Sequence, residues 1–346
     1  MLETNKLLYS LSDVSIIPAE TVTIESRSEC IPFTNNIEKT DSNYYPIVVA
    51  PMASVISEDN YKIFNNNKVS CIIPRNIELE VRLKLCSDVF CAFSLKEVED
   101  NFIVNKFNII NKIYVLIDIA NGHLQKQLTI GSKLKQIYGS NVVLMGGNIA
   151  NPDTYLYYNY SGFDYVRVGI GGGSGCLTST QTSIHYPMAS LLDDITKIRY
   201  NIDINTSTKV IADGGIGNYS DAIKCLALGA DYVMMGRVFA KTVEACGDTY
   251  VGLDGKVYRH YYGMSTKEAQ AKILGKSLEN IKEKLKTSEG KTEELEVEYT
   301  ISGWIDNFNS YLRSAMSYTN SRSLSEFKNS RCNIISLSSS NFINNK

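Results

Sequence analysis

Along the chain, short runs of consecutive apolar residues alternate with longer, more polar stretches of helical character. The runs are PIVVAPM (46–52), SCIIPR (70–75), FCAFS (90–94), YVLIDIANG (114–122), VVLMGGN (142–148), YVRVGIG (165–171), KVIADGG (209–215) and YVMMGRV (232–238). Most lie about 20–28 residues apart, the length of one strand plus one helix. Their apolar positions are consecutive rather than alternating, as in strands buried on both faces of a parallel sheet. Eight such units predict an α/β fold, a TIM (β/α)8 barrel; a doubly wound sheet is the alternative the same pattern allows. Several runs end in glycine or a polar residue: ANG, GGN, GIGGG, ADGG, MMGR. In a barrel the carboxyl ends of the strands carry the active site, and glycine there lets a ligand approach the backbone.

Two intervals break the rhythm. About 40 residues separate the sixth and seventh runs, so the stretch after YVRVGIG is a long loop, and loops of that length in a compact domain are usually functional or disordered. A second insertion spans roughly 240–300. Within it, Leu274, Leu278, Ile281 and Leu285 fall on one helical face, giving an amphipathic helix that is either a solvated surface element or a cover for the barrel mouth. A last helix is predicted near 304–318, and the Ser- and Asn-rich stretch 329–346 reads as a loosely ordered tail. The organisation expected is one barrel domain over 1–346 with extended loops at about 172–190 and 240–300.

Composition narrows the class. With 346 residues, 44% of them hydrophobic, the chain can bury a large core. A net charge of −2 gives no global attraction to nucleic acid or to an anionic membrane. No apolar run reaches the roughly 18 residues a membrane helix needs, and the N-terminus lacks the pattern of a secretory signal. Eight scattered cysteines with no CxxC pair suit a reduced, cytoplasmic protein. Three histidines and no HExxH argue against a catalytic zinc.

The chemistry concentrates at the strand ends. Gly171, Gly172, Gly173 and Gly175 surround Ser174, and Cys176 follows directly. A Rossmann fingerprint needs an early strand, an immediate helix and a later acidic residue; this motif sits mid-chain and leads into a Ser/Thr-rich loop. The other reading is an anion nest of successive backbone N–H groups. Barrels commonly build phosphate sites after strands seven and eight, where Asp213–Gly215 and Gly236–Arg237 stand. Each glycine alone needs no more than turn geometry. A lone cysteine is more often inert than catalytic, although dipoles of such a nest lower a thiol pKa. Asp118 and Asp213 each end an apolar strand, as a ribose grip or as the N-cap of the following helix.

Taken in order, VRVGIGGGSGCLTS, VIADGGIGNYSDAIKCLALGADYVMMGRVFA, YYGMS and SEGKT resemble the IMP dehydrogenase/GMP reductase family. DVSIIPAETVTIESRSEC and PIVVAPM are similar to that family's opening segment and first barrel strand. The resemblance runs from about residue 12 to about 325. It implies a barrel, usually in a homotetramer, acting on a purine nucleotide (GMP or IMP). By position, Cys176 matches the nucleophile that attacks C2 of the purine, and Thr178 and Glu289 the pair that handles the proton. Ser174, Asp213, Gly214, Gly215, Gly236, Arg237, Gly263, Met264, Ser265, Lys286, Ser288 and Gly290 match substrate-binding positions. Ser26, Arg27, Arg75, Asp118, Ile119, Ala120, Ile170, Gly171, Ser314 and Ser317 match dinucleotide positions, the last two often serving a neighbouring subunit. Gly171, Gly173 and Cys176 match carbonyls that hold a monovalent cation such as potassium.

Two chemistries share that scaffold. The dehydrogenase branch oxidises IMP with NAD and uses a flap with an Arg-Tyr dyad; no arginine occurs between Tyr262 and Tyr311 here. An interval of only about 19 residues between the second and third runs leaves no room for a regulatory CBS insert. With SEGKT, these features imply the reductase branch: GMP to IMP and ammonia with NADPH. The chain also departs from the family pattern. GGG replaces GPG before the cysteine, placing Gly172 where a proline would fix φ. Pro51-Met52-Ala53 follows the first strand, Pro74-Arg75 follows the second, Leu177 follows Cys176, and Lys286 stands for an arginine. Two other readings are a nucleotide-binding barrel without turnover and a Rossmann-type dehydrogenase.

Overall fold

The computed structural model describes residues 7–107, 111–173, 178–202, 207–263, 266–273, 290–329 and 334–336. All eight apolar runs form strands: β1 (Ile47–Val49), β2 (Ser70–Ile73), β3 (Phe90–Phe93), β4 (Ile113–Ile117), β5 (Val142–Ile149), β6 (Tyr165–Val168), β7 (Lys209–Asp213) and β8 (Tyr232–Met235). They pair in parallel and in sequence order, and β8 closes on β1 through Val48 and Met234. The fold is therefore the expected TIM barrel and not a doubly wound sheet. Every residue of β1, β2, β3, β4, β6 and β8 is buried, which is why these runs are apolar without alternation.

Two apolar layers result. One fills the barrel interior with Phe90, Tyr114, Tyr165, Tyr232 and aliphatic neighbours; the other lies between strands and helices. The lower end of the barrel is plugged by the loop preceding β1. The Ile37 N–H donates to Ser70 Oγ at the start of β2 (3.3 Å), and the Tyr232 hydroxyl donates to the Asn35 carbonyl (2.9 Å). Glu38 in this plug is buried, and its carboxylate oxygen accepts the Phe90 N–H at the start of β3 (3.4 Å). Ligand access is thus confined to the opposite, carboxyl ends of the strands.

The insertion after β8 contains an element the sequence pattern did not suggest. β9 (Thr249–Val251), β10 (Val257–Tyr262) and β11 (Thr292–Glu296) form an antiparallel three-stranded sheet. Arg259 anchors it: the buried guanidinium donates to the carbonyls of Ala240, Thr242 and Gly247. A short helix covers Lys267–Ile273; Leu274, Leu278, Ile281 and Leu285 lie outside the described residues. The last barrel helix spans Ile301–Tyr318 and buries Trp304, Phe308, Leu312 and Met316 along one face. Within the expected tail, Ile334–Ser336 pair antiparallel with Val14–Ile16. Among the described residues no helix is long and apolar enough to cross a membrane.

Candidate active site

The carboxyl ends of β4, β5, β6 and β7 meet around one guanidinium. Arg167 of β6 donates through Nη2 to Asp118 Oδ1 (2.7 Å), and its Nη1 lies 3.8 Å from Asp213 Oδ2. Asn148 of β5 donates through Nδ2 to the same Asp213 oxygen (2.8 Å) and to the Gly169 carbonyl (3.0 Å). Arg167 is buried, so its charge needs these carboxylates. Burial pushes the Asp213 carboxyl above its ordinary value, while Arg167 and the Asn148 amide pull it back and Asp118 adds to the rise. Asp213 is no helix cap, because the helix Tyr219–Ala227 is capped by Asn218, which accepts the Asp221 N–H. It is free to serve a hydroxyl-bearing ligand with its remaining lone pairs.

The glycine segments after β6 and β7 lie backbone against backbone. Gly215 has φ of +77°, and a Cβ there would sit 2.6 Å from the Gly172 carbonyl oxygen; one on Gly214 (φ +106°) would sit 3.2 Å from the Gly173 nitrogen. No side chain fits between them, so their peptide groups form part of the pocket wall. At the end of β8, a Cβ on Gly236 would collide with the Met52 sulfur, and the Tyr261 hydroxyl donates to that sulfur (3.5 Å). The departure at Pro51-Met52-Ala53 thus packs the end of β1 against β8 and the added sheet. Beside it, Arg237 Nε donates to Glu293 Oε2 of β11 (2.9 Å).

At the end of β2, Arg75 Nη1 donates weakly to the Asp118 carbonyl (3.4 Å). Arg75 Nε, Asn76 Oδ1 and Arg167 Nε are buried without a hydrogen-bond partner among the described residues. Buried polar atoms of this kind are costly unless a ligand or water meets them, so this side of the mouth fits a polar ligand. Gly263 donates to the Lys291 carbonyl (3.2 Å), which brings Gly263 beside Gly290. The Gly171 carbonyl accepts the Ser179 hydroxyl (2.7 Å), and the Ile170 carbonyl pairs with His185 Nδ1 (3.0 Å). Thr178 starts the helix Thr178–Thr182.

Most of the other expected residues that the structure describes fall into two groups. Asp118, Asp213–Gly215, Gly236, Arg237, Arg75 and Gly171–Gly173 belong to the strand ends. Ser26, Arg27, Ser314 and Ser317 form a second group on the outer wall. There Ser26 caps the turn Arg27–Glu29 by accepting the Ser28 N–H, and Arg313 donates to the Ser28 carbonyl (3.2 Å). Ser174, Cys176, Met264, Ser265, Lys286, Ser288 and Glu289 lie outside the described residues. Sequence reading overlooked Arg167 and Asn148. The signal was present in Arg167, a cation inside the otherwise apolar strand YVRV, since a buried charge requires partners.

The chain matches the family model for the IMP dehydrogenase / GMP reductase domain over residues 104–345. It is 28% identical over 335 residues to a GMP reductase of Staphylococcus epidermidis, covering 93% of this chain and 94% of the relative. It is 30% identical to one of Staphylococcus aureus with the same coverage. A GMP reductase of Caenorhabditis elegans is 27% identical over 290 residues, 81% of this chain and 78% of the relative. The chain belongs to the IMP dehydrogenase / GMP reductase family.

Proposed function

We propose that this chain is a cytoplasmic GMP reductase that converts GMP to IMP and ammonia with NADPH. The observation that supports this most is the convergence of Asp213–Gly215, Gly236–Arg237 and Gly171–Gly173 on one barrel face. Relatives named GMP reductase add to it. In this reading, backbone N–H groups of Gly215 and Gly236 and the Arg237 guanidinium hold the phosphate. Asp213, fixed by Asn148 and Arg167, accepts from the ribose hydroxyls. Ser174, Gly263, Met264, Ser265, Lys286, Ser288 and Gly290 surround the base.

The Cys176 thiolate adds to C2, and Thr178 and Glu289 deliver the proton with which the 2-amino group leaves as ammonia. NADPH, when bound, would supply the hydride that C2 receives as the Cys176 thiolate departs. In sum GMP, NADPH and two protons give IMP, NADP⁺ and ammonium. Arg75, Asp118, Ile119, Ala120, Ile170 and Gly171 would line the dinucleotide's path, and the unsatisfied Arg75 Nε and Asn76 Oδ1 suit a polar group there. Carbonyls of Gly171, Gly173 and Cys176 would hold a potassium ion; Gly171 keeps one lone pair beyond the Ser179 bond. In a homotetramer, Ser314 and Ser317 on the outer wall would serve a neighbour's mouth, with Ser26 and Arg27 beside them.

The test is ultraviolet assays of GMP with NADPH, GMP with NADH, and IMP with NAD, side by side. NADPH consumption with GMP, abolished in Cys176→Ala, is expected. Turnover of IMP with NAD instead assigns the dehydrogenase branch. Nucleotide binding with neither turnover nor a Cys176 adduct in mass spectrometry assigns a binding protein.

A further inference from the structure

Arg237 is the only cation that the last barrel strand presents at its carboxyl end. Its side chain is 39% exposed, and its Nε donates to Glu293 Oε2 at 2.9 Å. Among the described residues no other hydrogen bond reaches this guanidinium. The backbone of Glu293 is itself fixed in the added sheet. It lies directly opposite Tyr261 in the β10–β11 ladder, and the Tyr261 hydroxyl reaches Met52, which packs on Gly236. The carboxylate therefore rests on a strand tied to the same loop that carries Arg237.

A free arginine side chain has about 2 kcal/mol of rotamer entropy to lose when it is fixed. A carboxylate on Nε removes much of that freedom before any ligand arrives. It uses one of the five donors and leaves the four of Nη1 and Nη2, the pair that meets a phosphate in a bidentate manner. We infer that Glu293 is a positioning residue, which orients Arg237 for the phosphate group of the ligand. The inference rests on the nucleotide reading of the barrel mouth given above. The ion pair carries no net charge, so its hold on a phosphate comes from directed hydrogen bonds rather than from bulk attraction.

Two substitutions separate orientation from charge. Glu293→Gln and Glu293→Ala remove the same negative charge, but only Gln keeps an oxygen that accepts from Nε. The difference between them therefore isolates positioning. Binding of GMP, inorganic phosphate and guanosine is measured by titration calorimetry for the parent protein and both variants, with urea midpoints to establish folding. Glu293→Ser supplies a second truncation on the same footing. The expected result is roughly 3- to 10-fold weaker binding of GMP and phosphate by E293A than by E293Q, the size of one oriented hydrogen bond. Guanosine should bind all forms equally. In an Arg237→Ala background the Gln–Ala difference should vanish.

Equal or tighter binding by E293A than by E293Q overturns the proposal. So does a difference that persists without Arg237, or a parent protein that binds neither GMP nor phosphate. If phosphate binds with the Gln–Ala difference but GMP does not bind, the nucleotide reading fails while the role of Glu293 stands.

Discussion

Replacing Glu38 by glutamine should make the protein more stable at neutral and alkaline pH and leave it unimproved in acid. Glu38 is 4% exposed in the plug beneath the barrel, and its carboxyl accepts a long bond from the Phe90 N–H (3.4 Å). Lys39, the adjacent cation, is turned to Asp164 (3.4 Å) and lies over the Tyr165 ring. Burial raises the Glu38 carboxyl from 4.5 to about 8, its own and the Phe90 N–H groups oppose the rise, and Asp88 adds to it. The folded protein therefore holds a proton here that the unfolded chain releases above pH 4.5. Stability from this group is complete below pH 4.5 and is lost progressively until pH 8, where the folded form ionises as well. At 1.36 kcal/mol per unit the loss is roughly 3 kcal/mol at pH 7 and about 5 kcal/mol in full.

Glutamine has nearly the same shape and cannot ionise, so the variant lacks this slope. The amide brings donors that the carboxylic acid lacks, which costs about 1–2 kcal/mol at every pH. The difference between the proteins should therefore change by about 4 kcal/mol in favour of Gln between pH 5 and pH 8. The assay is urea unfolding at pH 5, 6, 7 and 8 at one fixed protein concentration. It is followed by the fluorescence of Trp304, the single tryptophan, which is buried and stacked on Phe308. Parallel pH profiles for the two proteins would refute the reasoning, because they would mean that Glu38 ionises as freely in the fold as outside it.

Arg167→Met leaves Asp118 and Asp213 beside each other without their shared cation, and should lower stability by about 3–5 kcal/mol. Adding Asp118→Asn should recover part of that loss in urea unfolding. Asp213→Asn keeps the shape but weakens its acceptor, so GMP affinity should fall roughly 10- to 100-fold by calorimetry with little change in the unfolding midpoint. Gly215→Ala meets both a positive φ and the Gly172 carbonyl. It should force the two glycine segments apart and weaken GMP binding at least about tenfold, with far-ultraviolet circular dichroism unchanged.

The barrel was legible because its strands are buried on both faces, so that VVA, CII and VMM stand out as unbroken apolar runs. The added sheet was not. Thr292–Glu296 reads TEELE, and only Leu295 of the five is buried. An exposed edge strand needs no apolar code, and its polarity merged with the Lys/Glu-rich stretch before it. The mouth was half legible. Glycines and aspartates at strand ends announce themselves by position, and Asp213 and Asp118 do lie at the carboxyl ends of their strands. Their mutual arrangement depends on Arg167, whose partners come from strands 49 and 46 residues away in sequence. Such long-range pairing leaves no local pattern. The second group of expected residues, at Ser26 and Ser314, lies on the outer wall because its helix runs outside the strands.

The plugged lower end sets the order of traffic through the molecule. With Ile37 and Glu38 sealing one end and the Phe90, Tyr114 and Tyr165 rings filling the interior, nothing can pass through the barrel. Every ligand must come and go by one doorway. If one of two ligands lies deeper along that single path, it must enter first and leave last, and an outer ligand arriving early locks it out. Steady-state kinetics of a two-substrate reaction with such a deeper ligand should be ordered, whereas random kinetics would place the two ligands side by side at the mouth.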